Sequence, residues 1–478
     1  MRTAPVRGPA SWLALALIAL APLSARGAGV EIPDNGALPI ARGGTAVSMF
    51  GNAYSLEFNP AAMATVDGLD VRLDMRDIDN TVTFQRGPAG DGSVFDKVSN
   101  SAGGDIEPSL QVAYRLRHIL QGRLAFGLGI WGPPGVLHYK YPSPLNEPKE
   151  EGWHQVDAQT PQRYSLIDSY MLIIYPSVGV AFRITHQLAV GLTLQDVVAN
   201  IDFHQAIGLY VPGITQPGQE DTDFDAIAHL SVHQSYGLTG ILGVAYMPIP
   251  KLHLGLSFRP QIVIKADGTL NVQLPKTATS MGEQMQGNSA TFEFALPPVA
   301  HLGATYLFSD RLNVSAEAVW EGWSVVKSQS LQPHDIAVTG PIPAAVSPIS
   351  IPRHWMDSYS GRIGATYTVL EWAQHDPLLD VSAGALFETS AVPSSYQAVD
   401  FVNGNRYAGG LGLTFHWHHF ALTASGMYYP EVDVDISDSK VARTTAPPEP
   451  QPLIVGNGTY TTSSWIAAVG LAYSGLGG

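Results

Sequence analysis

The stretch Leu252–Phe258 (Leu-His-Leu-Gly-Leu-Ser-Phe) places Leu252, Leu254, Leu256 and Phe258 on one side of an extended chain. His253, Gly255 and Ser257 fall on the other side, a period of two that only a β-strand satisfies. The pattern recurs at Leu188–Gln195, Leu312–Glu321, Leu379–Glu388, Leu411–His416 and Phe420–Ser425. In each case one face is aliphatic or aromatic and the other small or polar. Such a face is a core in a soluble sandwich and the outer surface in a barrel that sits in lipid. Alternation predicts about fourteen strands, near residues 69–84, 106–116, 124–131, 165–184, 187–203, 228–247, 251–265, 291–307, 311–325, 354–369, 378–388, 406–416, 419–430 and 463–474.

Composition favours the lipid-facing alternative. The 478 residues include no cysteine, so an exported chain of this kind has no disulfides to rely on. Charged residues make up 14%, against about 25% in ordinary soluble domains. Residues 1–27 read as a secretory signal: Arg2 and Arg7 precede the uncharged run Ser11–Ser24, and Ala25-Arg26-Gly27 supplies small residues for cleavage. No second apolar run is long enough for a spanning helix. The formal charge of -15 argues against nucleic acid as a partner. Connection lengths point the same way. Phe182–Leu188, Met247–Leu252, Phe308–Leu312 and Phe415–Phe420 are tight, and they alternate with long Pro- and Gly-rich segments such as Gln205–Ala226, Ala266–Ala290 and Glu431–Thr462. Short turns at one end and long loops at the other are the outer-membrane barrel arrangement.

Residues 28–68 fit no strand, yet they carry Ile40, Val47, Met49, Phe50, Leu56, Phe58 and Met63, which need burial. The lumen of the barrel that follows, residues 69–478, is the available place. The fold expected is therefore all-β, a transmembrane antiparallel β-barrel of about fourteen strands with a small N-terminal hatch inside.

With Asn59, Pro60 and Ala61 closing that segment, the chain resembles the FadL/TodX family of outer-membrane transporters for long-chain fatty acids and other hydrophobic compounds. Leu296–Ser324 with Trp320 and Trp323, Ile351–Tyr367 and Leu386–Pro393 are similar to the family in the same order. The resemblance implies a hatch ending in the Asn-Pro-Ala motif, passive capture of a hydrophobic ligand by outer loops, and its sideways exit into outer-membrane lipid through a kinked third strand. It also implies a monomer inserted by the barrel-assembly machinery. Outer-membrane barrels commonly end on an aromatic residue that the assembly machinery reads, whereas this chain continues past Tyr473 with Ser-Gly-Leu-Gly-Gly.

Gly129, Gly132 and Pro133, in the run Gly127–Gly135, are the candidate lateral opening, because Gly and Pro stop strand pairing. The same residues could simply begin a long loop. Tyr175-Pro176 offers a second interruption, read as a bulge. His416 and His418 share a strand face, but without a carboxylate at suitable spacing they are read as turn residues. Met281 and Met285, at helical spacing, suit either an adaptable groove or a loop helix packed on the rim. No phosphate-binding loop, nucleophile elbow or His-Glu-x-x-His motif occurs, so neither an enzyme nor a cofactor or metal site is expected. An adhesion barrel or a barrel lipase are the alternatives.

Overall fold

A computed structural model describes Gly27–Ala28 and residues 35–88, 92, 94–133, 138–144, 159–234, 236–372, 377–402 and 404–475. The expected export signal lies outside these residues except for Gly27. Fourteen strands close into one antiparallel barrel. They are β1 (Leu69–Arg86), β2 (Asp105–Leu116), β3 (Leu124–Trp131), β4 (Asp168–Arg183), β5 (Leu188–Asp196), β6 (Leu238–Ile249) and β7 (Leu252–Arg259). The remainder are β8 (Val299–Ser309), β9 (Leu312–Glu321), β10 (Ser358–Glu371), β11 (Leu378–Glu388), β12 (Arg406–Trp417), β13 (Phe420–Ile436) and β14 (Gly458–Gly475). Closure is made by β1 on β14, from Leu69 opposite Gly475 to Arg86 opposite Gly458. The residues after Tyr473 thus begin by extending the last strand.

Six consecutive strands do not stop where the barrel does. Beyond a short interruption each continues as an outer segment: Val198–Leu209 for β5, Asp225–Gln234 for β6, Ile262–Gln273 for β7, Ser289–Leu296 for β8, Ser328–His334 for β9 and Ile349–Pro352 for β10. The outer segments keep the neighbour order of the barrel and, between β6, β7 and β8, its register. Pro260 interrupts β7, and Pro297 with Pro298 interrupts β8. Proline has no N–H for the ladder, so a strand bends or breaks there.

At this level the faces exchange character. Below it, the outward side chains are apolar: Leu242, Leu256, Leu302, Ile363, Leu411 and Val469 are all exposed. Aromatic residues flank them on both sides, with Tyr359, Tyr407 and Trp465 toward the long loops and Tyr246, Tyr306, Tyr367 and Phe415 toward the short turns. This is the aromatic girdle of a membrane band. Above the interruptions the outward positions are mostly polar, among them Asn200, His233, Lys265, Asp267, Glu293 and Ser330, with Val263 an exposed apolar exception. Their inward neighbours Ile201, Leu230, Ile264, Phe294 and Leu270 are buried. The outer segments therefore stand in water with their apolar side turned in.

Two local expectations change. Met281 and Met285 do not share a helix, because the helix Lys276–Ser280 ends before Met281, and Met285 lies in the short strand Gln284–Gln286. Pro176 makes no bulge; β4 runs through it in register with β3, Ile130 opposite Pro176 and Trp131 opposite Tyr175.

The two faces predict different costs for the same substitution. Leu411→Arg, in mid-band, should lose about 2–4 kcal/mol in urea titrations of folding into lipid vesicles. Gln273→Arg, on the watered outer face, should stay within about 0.5 kcal/mol.

Candidate functional site

The hatch comprises helix α1 (Ala37–Ala41), helix α2 (Ser55–Phe58) and a 3-10 turn at Pro60–Thr65. It fills the lumen at backbone distance because the wall lacks side chains where the two meet. Gly191 of β5 and Gly243 of β6 are directly paired. A Cβ on Gly243 would lie 2.3 Å from Asn59 Oδ1, and one on Gly191 would lie 2.4 Å from the Ala61 nitrogen. Leu56 and Met63 press in the same way on Gly127 and Gly179, and Arg42 on Gly364 and Gly384.

Wall side chains then take up the hatch's polar backbone. Asp70 Oδ1 accepts from the Ala53 N–H at 2.7 Å, and Asp74 Oδ1 from the Ala37 N–H and the Tyr54 hydroxyl, both at 2.8 Å. Glu317 Oε2 accepts from the N–H groups of Ala46 and Val47, at 2.7 and 3.0 Å. The buried Arg42 donates to Asn313 Oδ1, Ser315 Oγ and Thr366 Oγ1. Charge-assisted bonds of this kind are roughly twice as strong as neutral ones. Asn59, the first residue of the Asn-Pro-Ala motif, donates to the carbonyls of Val47 in the hatch and Val244 in β6, both at 3.0 Å. Pro60 opens the 3-10 turn, and Ala61 allows the approach to Gly191. The motif is thus a clip onto β5 and β6.

Inside the outer segments lies a pocket of about 70 Å³ lined by Met171, Ile201, Phe203, Leu230, Leu270, Phe292, Phe294, Leu331, Ile349 and Phe401 among others. Among the described residues Gln205 and Gln329 are its only polar lining groups, and none is charged. Arg353, which touches the lining through Gln329, is committed: it donates to Gln329 Oε1 at 2.7 and 3.0 Å and pairs with Asp400. Ile349 and Ile351 also line a second, outer cleft with residues 442–446 and 448–449. This segment roofs the pocket, Thr445–Ala446 pairing with Gly208–Leu209 at the tip of β5. A buried polar clasp secures the roof: Arg163 binds Asp225 at 3.1 Å and Glu220 at 2.7 Å, and Glu449 binds Arg443 and the Gly218 N–H. Burial alone would raise the Glu220 carboxyl, but Arg163 and Arg86 hold it below its ordinary value. Downward, the pocket joins the hatch through one apolar cluster that contains Ile201, Leu230 and Phe294 together with Ile173, Tyr175, Trp131, Leu56 and Met63.

The three residues proposed for the wall opening separate. Gly129 is inside β3, opposite Ser177 and Gln111, where a Cβ would strike Trp131 and Leu56. It serves close approach rather than a break. Gly132 and Pro133 follow the last residue of β3, and 134–137 fall outside the described residues. Among the described residues the β2–β3 ladder stops at Leu110 opposite Ile130, while β2 continues on β1 to Asp105. Asn35, not Asn59, reaches this point: its Nδ2 donates to the Gly132 carbonyl at 2.9 Å and to Glu57 at 2.6 Å. Arg76, bound to Glu107 at 2.8 Å, donates weakly to the Pro133 carbonyl at 3.5 Å. The Asn-Pro-Ala clip and the ladder end are therefore at different strands. His416 has the carboxylate that spacing did not supply, Asp380 at 3.0 Å from the neighbouring strand.

A closed fourteen-stranded barrel with an apolar outer belt, a lumen plugged by its own N-terminal segment and an apolar pocket above defines an outer-membrane transport channel. The chain belongs to the outer membrane protein transport protein family (OMPP1/FadL/TodX), whose model matches residues 18–474. It is a family of hydrophobic-compound channels in the outer membrane. The fold is similar to the crystal structure of a Pseudomonas aeruginosa FadL homologue, at 16% identity and a TM-score of 0.74 over 93% of this chain and 99% of that one. It is also similar to the toluene transporter TodX of P. putida (16%, TM-score 0.64, 93% and 99%) and to the toluene transporter TbuX of Ralstonia pickettii (16%, TM-score 0.62, 92% and 98%). No curated protein sequence matches the chain.

The glycine contact predicts that Gly243→Leu leaves a barrel of unchanged heat-modifiable gel mobility but forces Asn59 and Pro60 off the wall. Hydrogen exchange across residues 45–66 should then accelerate by at least about tenfold, the loss of roughly 1.4 kcal/mol of local stability.

Proposed function

We propose that the protein carries uncharged hydrophobic compounds, such as aromatic or alkyl hydrocarbons, passively from the outer surface into the outer-membrane lipid. The observation that carries this reading is the pocket itself, lined among the described residues by apolar side chains and two glutamines and by no charged group. A carboxylate lodged there would need a cation, and Arg353 already serves Gln329 and Asp400. Two proteins of similar fold, toluene transporters both, support the same ligand class.

The path supported by the geometry starts at the outer cleft, passes Ile349 and Ile351 into the pocket, and descends past Ile173, Tyr175 and Trp131 to Leu56 and Met63. An aqueous descent would cost about 0.8 kcal/mol per methylene, so the ligand gains by leaving sideways where the β2–β3 ladder ends. In the resting arrangement that point is sealed from inside by Asn35 on Gly132 and by Arg76 with Glu107. Movement of the hatch withdraws Asn35 and Glu57 together, because the two are hydrogen-bonded to each other. Opening thus needs movement of the hatch and a swing of the Arg76 and Glu107 side chains, with every strand ladder of the barrel kept.

The test uses vesicles loaded with reconstituted protein. Toluene entry should be accelerated, whereas palmitate entry should not; no acceleration of either compound by folded protein would reject transport. Phe294→Asp should abolish ligand binding in detergent. Replacing Gly132 by Val and Pro133 by Thr, which lets β3 extend, should leave binding intact and slow entry by about tenfold or more.

A further inference from the structure

The strands that form the pocket wall carry a second arrangement on their other side. Along the outer segment of β5, Ile201, Phe203 and Gln205 face the pocket, so Asp202 and His204 face outward. In the outer segment of β6, Ala228 and Leu230 face the pocket, and His229 and Ser231 face outward. Register brings the four outward residues into a square, with His229 opposite His204 and Ser231 opposite Asp202. The two imidazoles are stacked, centroids 4.0 Å apart and planes within 13°. His229 Nε2 contacts Asp202 Oδ1 across the diagonal, while Ser231 Oγ holds the other carboxylate oxygen at 2.9 Å. One ligand atom from each of Asp202, His204 and His229 lies within 4.8 Å of the others.

We propose that Asp202, His204 and His229 form a surface site for a divalent transition-metal ion of the zinc type. Bonds of about 2.0–2.2 Å to two nitrogens and one oxygen require ligand atoms somewhat closer than they now stand, a change within reach of side-chain rotation at a half-exposed surface. Two imidazoles select zinc, copper or nickel over calcium or magnesium, which prefer oxygen. The remaining coordination positions face water. Asp168 on β4 supplies the carboxylate that commonly orients a ligating histidine: its Oδ1 is 3.9 Å from His204 Nδ1, a sheltered nitrogen with no hydrogen-bond partner. His138 Nε2 lies 4.0 Å from the other oxygen of the same carboxylate. The metal would tie β5 to β6 directly behind the pocket wall.

The test is calorimetric titration of zinc chloride into the tag-free, chelator-treated full barrel in detergent. One equivalent should bind saturably. His204→Ala and His229→Ala should each weaken binding by at least about tenfold, and Asp202→Asn by a similar factor. His416→Ala, at the opposite end of the barrel, should change nothing. With copper(II) in place of zinc, electron paramagnetic resonance should show two coupled nitrogens, reduced to one in either histidine variant. Gel mobility confirms that each variant is folded. Absence of saturable binding up to millimolar zinc, or binding that survives in His229→Ala and is lost in His416→Ala, overturns the assignment.

Discussion

Everything in this molecule depends on the wall of the barrel having two differently used faces, and on those uses changing places part-way up. A spanning strand must pair every backbone group within the sheet, which forces closure and leaves only the side chains free to vary. In the membrane the outward set is apolar and the inward set is small or polar, so the lumen offers little hydrophobic burial of its own. The hatch supplies what is missing by bringing Ile40, Leu56 and Met63 to full burial. Above the membrane the inward set becomes the apolar one, and the space it encloses stays open to a guest. Plug and pocket are thus two answers to one alternation.

The interruptions make the exchange possible in a single chain. In β7, the even-numbered Leu254, Leu256 and Phe258 face lipid, yet the even-numbered Ile262, Ile264 and Ala266 of its outer segment are buried on the inner side. Pro260 and Gln261 shift the phase between them. A strand of unbroken period two would have put Ile262 and Ile264 in water. The prolines at 260, 297 and 298 therefore sit at a functional boundary rather than a loop entrance.

This explains what could be read from the sequence and what could not. All fourteen strands were visible because each inner segment has a clean alternation and each short turn is compact, as between Ile249 and Leu252. The hatch was visible as apolar residues with no strand to hold them. The pocket was hidden, since alternation carried across Pro260 as one strand reports a period but not a change of phase. Its walls also come from segments such as Ser328–His334 and Ile349–Pro352, which read as Pro- and Gly-rich loop. The Asn-Pro-Ala motif was recognisable, but its clip onto Val244 and Gly243 depends on a contact across 185 residues of chain. The outward histidine pair arises in the same way, from register between strands and not from spacing along one.

The pocket's height has a consequence for how selectivity and permeability are divided. Because its walls stand above the aromatic girdle, a guest held there has left the water without entering the bilayer. On the proposed route its binding would be set by protein surfaces alone and be insensitive to lipid thickness or fluidity, whereas passage through the wall below would be exposed to both. That route separates choosing a compound from delivering it, so that a change to one stage would leave the other undisturbed.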